Sequence, residues 1–168
     1  MTTLDALNKL PAADALDAFS LCCGARAWAI EMVRRRPYAS KQVLLETADA
    51  VWSSLSPEDW REAFTHHPKI GDIDDLRAKF SSTSAWAEGE QSSVNEANEA
   101  VLQRLAQGNA VYEVKFGFIF IVCATGKSAA EMADLLESRL PNDPDTELAI
   151  AAEEQRKITR IRLEKLMP

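Results

Sequence analysis

The sequence predicts an all-α fold: one compact multi-helix domain spanning residues 1–168 and closed by a long C-terminal helix. Three observations carry that expectation. Apolar residues recur at helical spacing through most of the chain. Helix-start signals of side-chain cap, proline and acid precede several of those stretches. Only one segment, Phe116 to Ala124, has the composition of a strand, and no second strand offers it a partner.

Taken in order, "PAADALDAFSLCC" places Leu16, Phe19 and Cys23 near one face, behind a proline suited to a first turn. Gly24 interrupts it, and "ARAWAIEMVRRRP" stops at Pro37. In "SKQVLLETADAVWSSL" the apolar positions are Val43, Leu44, Ala48, Val51 and Leu55. Ser56, Pro57 and Asp59 then form an N-terminal signature for a helix through Trp60 and Phe64. That helix must end near His66, because the residue before Pro68 is driven out of the α region. Asp72 can cap "IDDLRAKF", and the polar loop "SSTS" leads to "AWAEGEQ". "SVNEANEAVLQRLAQGNAVYEVKF" reads as a long helix, with Gly108-Asn109 the place where it would break. "FGFIFIVCA" reads as a buried segment, taken as helical because a lone strand leaves its backbone groups unpaired. Ser128 and Glu131 make a capping box for "AAEMADLLESRL", and "DTELAIAAEEQRKITRIRLEKL" forms the last helix after "PNDP". Trp28, Trp52, Trp60 and Trp86 are expected in the core.

Composition narrows the function classes. The formal net charge is -7 and the sole basic run, Arg34-Arg35-Arg36, falls in a helical pattern, which argues against nucleic acid as a partner. No apolar run is long enough to span a bilayer, so no membrane partner is expected. Three cysteines without a C-x-x-C pair, no signal peptide and no peroxisomal address make the cytoplasm the expected compartment.

Both histidines of the chain stand together in "FTHHPKIGD". Pro68 restricts His67 to extended conformations just past a helix end, and Gly71 permits a tight turn. Such a turn presents an imidazole to a pocket. The plainer reading, a histidine capping a helix C-terminus, is favoured on spacing alone. Glu90 and Gln91 pair an acceptor with a mixed donor and acceptor, a combination able to grip an amide or urea; a solvated helix start with a favourable N-terminal acid is the reading favoured on the residues alone. Arg160 and Arg162 point to different faces of the last helix, so at most one addresses a pocket; surface pairing with Glu153 or Glu164 is the alternative. Adjacent histidines and adjacent Cys22-Cys23 lack the spacing of a zinc site, and no dinucleotide, phosphate-loop or nucleophile-elbow motif occurs.

Several segments together resemble the 2-oxo-4-hydroxy-4-carboxy-5-ureidoimidazoline (OHCU) decarboxylases of urate degradation: "HHPKIGD", "EGEQSSV", "NAVYEVKFGFIFIVCATGKS", "SRLPND" and "KITRIRLEKL", in the family's order from Phe64 to Leu166. The resemblance implies an all-helical enzyme that releases CO2 from OHCU to give (S)-allantoin, with no cofactor and no metal. It puts the catalytic histidine at His67, beside the substrate-binding Pro68, and the family's Glu-Gln pair at Glu90, catalytic, and Gln91, substrate-binding. It puts the arginine that binds the substrate carboxylate or ring at Arg162. The segment that lends backbone amides to substrate falls on Phe118, Ile119, Phe120 and Ile121. Two positions depart from the pattern. Ala87 stands where many members carry serine, leaving Ser84 to supply a hydroxyl, and Ile119 replaces a usual proline, which would loosen the backbone there.

The chemistry fits those residues. Loss of CO2 leaves an electron pair that the ring can accept, so the protein has to orient the carboxylate, stabilise an enolate-like oxygen and deliver a proton to one face. An anionic substrate entering a chain of charge -7 needs a local cation. A homodimer is carried forward as the assembly, although nothing in the sequence sets oligomeric state. The alternatives are a helical ureide hydrolase in which His67 activates water, and a non-catalytic helical binding module. These 168 residues leave no room for a transthyretin-like hydrolase domain, the β-rich fusion partner known in relatives.

Overall fold

The computed structural model describes residues 2–68, 73–80 and 92–168. All regular elements among them are helices: α1 Leu4–Lys9, α2 Ala12–Cys22, α3 Arg26–Arg34, α4 Lys41–Ser54, α5 Pro57–Thr65, α6 Ile73–Phe80, α7 Ser92–Phe116, α8 Ala129–Arg139 and α9 Pro144–Leu166. None of them is long and apolar enough to cross a membrane. Contacts group the chain into two units, Met1–His67 with Leu148–Pro168, and Pro68–Glu147.

In the first unit α3 packs against α2, α4 and α5. Ser40 caps α4 by accepting from the Val43 amide at 3.1 Å. Ser56 and Asp59 close the expected capping box on α5, with Pro57 in the first turn. Phe19 and Trp28, both fully buried, meet edge to face with centroids 5.9 Å apart. Each indole here finds a carbonyl: Trp28 Nε1 donates to Ala48 O, Trp52 Nε1 to Ala152 O and Trp60 Nε1 to Trp52 O. Trp60 is only half-buried, and Trp86 lies outside the described residues. Two expected faces are corrected. The buried face of α2 is Ala15, Phe19 and Cys22, with Pro11 as N-cap; Leu16 is half-buried, and Cys23 is buried as the C-cap beyond the helix. In α4, Leu45 and Trp52 are buried whereas Val43 is 41% exposed. The inward stripe of α9 runs Leu148, Ala151, Ala152, Gln155, Thr159 and Leu163.

In the second unit α7 packs against α6 and α8. It runs through Gly108 unbroken. A Cβ on Gly108 would come within 2.4 Å of Leu136 Cδ2, so this glycine lets α7 and α8 approach closely. Gly117, at φ +79, ends α7 in the left-handed region, and its amide donates to Glu113 O at 2.9 Å.

The segment after Gly117 corrects the expectation of a helix: residues 117–124 form no regular element. Side chains satisfy two of its carbonyls. Arg139 Nη1 donates to Ile121 O at 2.8 Å, and Lys127 Nζ to Cys123 O at 2.8 Å. Behind Arg139 lies a buried ion pair. Its Nε is 2.7 Å from Glu147 Oε1, and the Glu147 side chain is 0% exposed. Tyr112 Oη donates to the same oxygen at 2.5 Å, and Asn142 Nδ2 to Oε2 at 3.1 Å. Burial, then the Glu147 hydrogen bond, push the Tyr112 phenol well above its ordinary pKa. The Arg139 guanidinium also stacks over the Phe120 ring, 4.6 Å from its centroid.

Candidate functional site

Helix α5 ends as Pro68 requires. His66 is its C-cap at φ -84 and ψ -4, and the His67 amide closes the last turn on Phe64 O at 3.3 Å. The two imidazoles then part company. The exposed His66 packs on Gly24, where a Cβ would sit 2.4 Å from His66 Cγ. His67 is half-buried, and its Nε2 lies 2.5 Å from Gln155 Oε1. Gln155 is itself 0% exposed, and its Nε2 donates to Thr159 Oγ1 at 3.1 Å.

Cys22 and Cys23 lie alongside at the end of α2. Burial pushes both thiols up to about 11, against the opposing pull of the Arg162 charge. The Thr159 hydroxyl also favours the thiolate form of Cys23, as a hydrogen-bond partner of its sulfur.

Arg160 and Arg162 of α9 separate as their spacing predicts. Arg160 pairs with Asp49 at 3.2 Å and reaches Glu164 at 3.7 Å. Arg162 is half-buried and donates from Nη1 to Cys22 O at 3.4 Å. Gln155, Thr159 and Arg162 share one face of the helix, spaced i, i+4 and i+7. Arg162 therefore stands ~10 Å beyond Gln155 along the axis. The described residues of this unit thus include a half-buried imidazole, His67, and a half-buried guanidinium, Arg162.

In the other unit Phe118 and Ile121 are buried, while Ile119 and Phe120 are half-buried. Pro68 is exposed. Gly71, Asp72, Ser84, Ala87, Glu90 and Gln91 lie outside the described residues. Among the described residues no three His, Cys, Asp or Glu side chains gather as a metal site.

The sequence reading missed Gln155, Thr159, Arg139 and Glu147. A signal for the first two existed: they are polar residues on the inward stripe of α9, where an apolar residue would be the default. Arg139 and Glu147 are separated by a helix end, and although Arg139 lies within "SRLPND", no local spacing pairs the two.

Comparison with known proteins gives a consistent picture. Residues 8–164 match the family model described as OHCU decarboxylase. The chain is 39% identical over 153 residues to the uric acid degradation bifunctional protein TTL of Arabidopsis thaliana, covering 89% of this chain but only 46% of that relative's length. It is 26% identical to the 2-oxo-4-hydroxy-4-carboxy-5-ureidoimidazoline decarboxylase of Haloferax volcanii, covering 96% of this chain and 94% of that protein. The crystal structure of an OHCU decarboxylase in the presence of (S)-allantoin superposes with a TM-score of 0.70 at 39% identity, covering 89% of this chain and 96% of the other.

Proposed function

Because the chain belongs to the OHCU decarboxylase family, we propose that it decarboxylates OHCU to (S)-allantoin in urate degradation, as a cytoplasmic enzyme of purine breakdown. The observation that carries this reading is the match over residues 8–164. The likeness to a decarboxylase solved in the presence of (S)-allantoin supports it.

The reaction breaks the bond between a ring carbon and its carboxylate. CO2 departs, the electron pair passes into the ring, and a proton is added on one face of the ring to set the S centre. His67 is the acid/base, a role worth ~10²–10⁴-fold for a well-placed imidazole near neutral pH. Its half-buried position beside a buried amide, Gln155, suits a group that must be held and still reach a ligand. Arg162 holds the substrate's negative charge; among the described side chains its contact is a carbonyl and not a carboxylate, so its charge is not neutralised by an ion pair. Glu90 and Gln91 grip the ureido arm, Pro68 and Ser84 line the substrate, and backbone amides of Phe118, Ile119, Phe120 and Ile121 donate to it. For the last group, the clamp of Arg139 on Ile121 O provides the rigidity such donors need.

The test is direct. Freshly generated OHCU is mixed with the protein and allantoin chirality is followed by circular dichroism. An excess of (S)-allantoin accompanied by CO2 supports the proposal. Ammonia release would make the protein a ureide hydrolase. A racemic product at the spontaneous rate would leave a binding module.

A further inference from the structure

We infer that Gln155 is a positioning residue that holds His67 in the tautomer with its proton on Nε2, leaving the ring's lone pair on Nδ1. The inference deepens the proposed function and rests on it for the role of His67, but the tautomer itself does not depend on the reaction.

Three observations carry it. First, the 2.5 Å separation between His67 Nε2 and Gln155 Oε1 requires a proton between them. The amide oxygen has none, so the imidazole supplies it.

Second, the Gln155 amide turns its nitrogen to Thr159 and its oxygen to His67. Gln155 Nε2 donates to Thr159 Oγ1 at 3.1 Å. The order is then Thr159, Gln155, His67. Gln155 is 0% and Thr159 5% exposed, so water does not compete for either group.

Third, the orientation suits an acid/base. An amide N–H pointed at Nε2 would demand a bare lone pair there and would repel the imidazolium. The amide oxygen tolerates both the neutral Nε2–H ring and the imidazolium. Only this orientation lets His67 cycle between them without reorganising its neighbour.

The chain has only two histidines, which makes the measurement simple. Protein labelled with ¹⁵N-histidine is studied by long-range proton–nitrogen correlation NMR. The exposed His66 is identified by its loss in His66→Gln. The expected wild-type pattern for His67 at neutral to mildly alkaline pH has a protonated, pyrrole-like Nε2 and a pyridine-like Nδ1. Gln155→Glu, which retains an acceptor, should preserve that pattern. Gln155→Met, which removes it, should give a mixture of tautomers and lower turnover of OHCU roughly tenfold or more, part of what a placed acid/base supplies. A wild-type ring protonated on Nδ1 overturns the inference, and so does a Gln155→Met spectrum identical to the parent's. If the tautomer responds as expected while turnover does not, Gln155 still positions the ring, and it is the proton-transfer role of His67 that fails. The wild-type and Gln155→Glu spectra decide the matter even if Gln155→Met does not fold.

Discussion

Replacing Arg139 with methionine removes a guanidinium from the interior while roughly preserving its stem. Arg139 is 7% exposed and its partner Glu147 0%. The substitution leaves the Glu147 carboxylate with two neutral donors, Tyr112 Oη and Asn142 Nδ2, and no opposite charge. Breaking a buried pair from one side costs ~3–5 kcal/mol. It also strands the Ile121 carbonyl, a loss of ~1–3 kcal/mol. The two losses share one side chain and do not add fully, so ~4 kcal/mol is the expected destabilisation. With ~1–3 kcal/mol per molar of urea, the midpoint should fall by ~2 M in equilibrium denaturation. The double variant Arg139→Met, Glu147→Leu removes both charges. It should recover a large part of the loss, since an apolar replacement of a whole buried pair is often neutral. A single variant that loses less than ~1 kcal/mol refutes the reasoning. So does a double variant as unstable as the sum of the two single ones, because the coupling between the charges would then be absent.

Three further outcomes are expected. His67→Ala should lower OHCU turnover at least ~100-fold, about 3 kcal/mol of barrier, with helical circular dichroism intact, whereas His66→Ala should cost far less; equal losses would reject the assignment. Glu90→Gln should weaken binding of a ureido-bearing substrate analogue by ~1–3 kcal/mol in titration calorimetry, and a wild type that binds an analogue without the ureido group equally well would remove that role. Cys22 and Cys23 are buried as neutral thiols with pKa raised from 9.0 to about 11, so their contribution to stability is fully present below 9.0 and lost as pH rises toward about 11. Denaturation midpoints measured across that window should therefore fall, and native protein should react with a thiol reagent only as it opens; rapid modification at neutral pH would contradict the burial.

Much of this protein was legible in its residues. Local signals act within one turn and need no distant partner. Ser56-Pro57-Asp59 and Ser128 with Glu131 therefore name their helix starts directly, and Pro68 names the end of α5. The split between Arg160 and Arg162 follows from helical spacing alone. The resemblance in "HHPKIGD" and "KFGFIFIVCA" pointed to the family, and the match over residues 8–164 bears that out. Other features could not be read along the chain, because the atoms concerned meet only after folding. Gly108 looked like a break and is instead the place where Leu136 packs against α7. The apolar run after Gly117 looked helical because nothing nearby could satisfy its carbonyls, yet Arg139 and Lys127, both later in sequence, satisfy two of them. His67 and Gln155 are 88 residues apart, and no local rule connects them. Short-range sterics and hydrogen bonding write the helices into the sequence, whereas tertiary packing alone decides which buried polar group meets which, and so on which nitrogen His67 holds its proton.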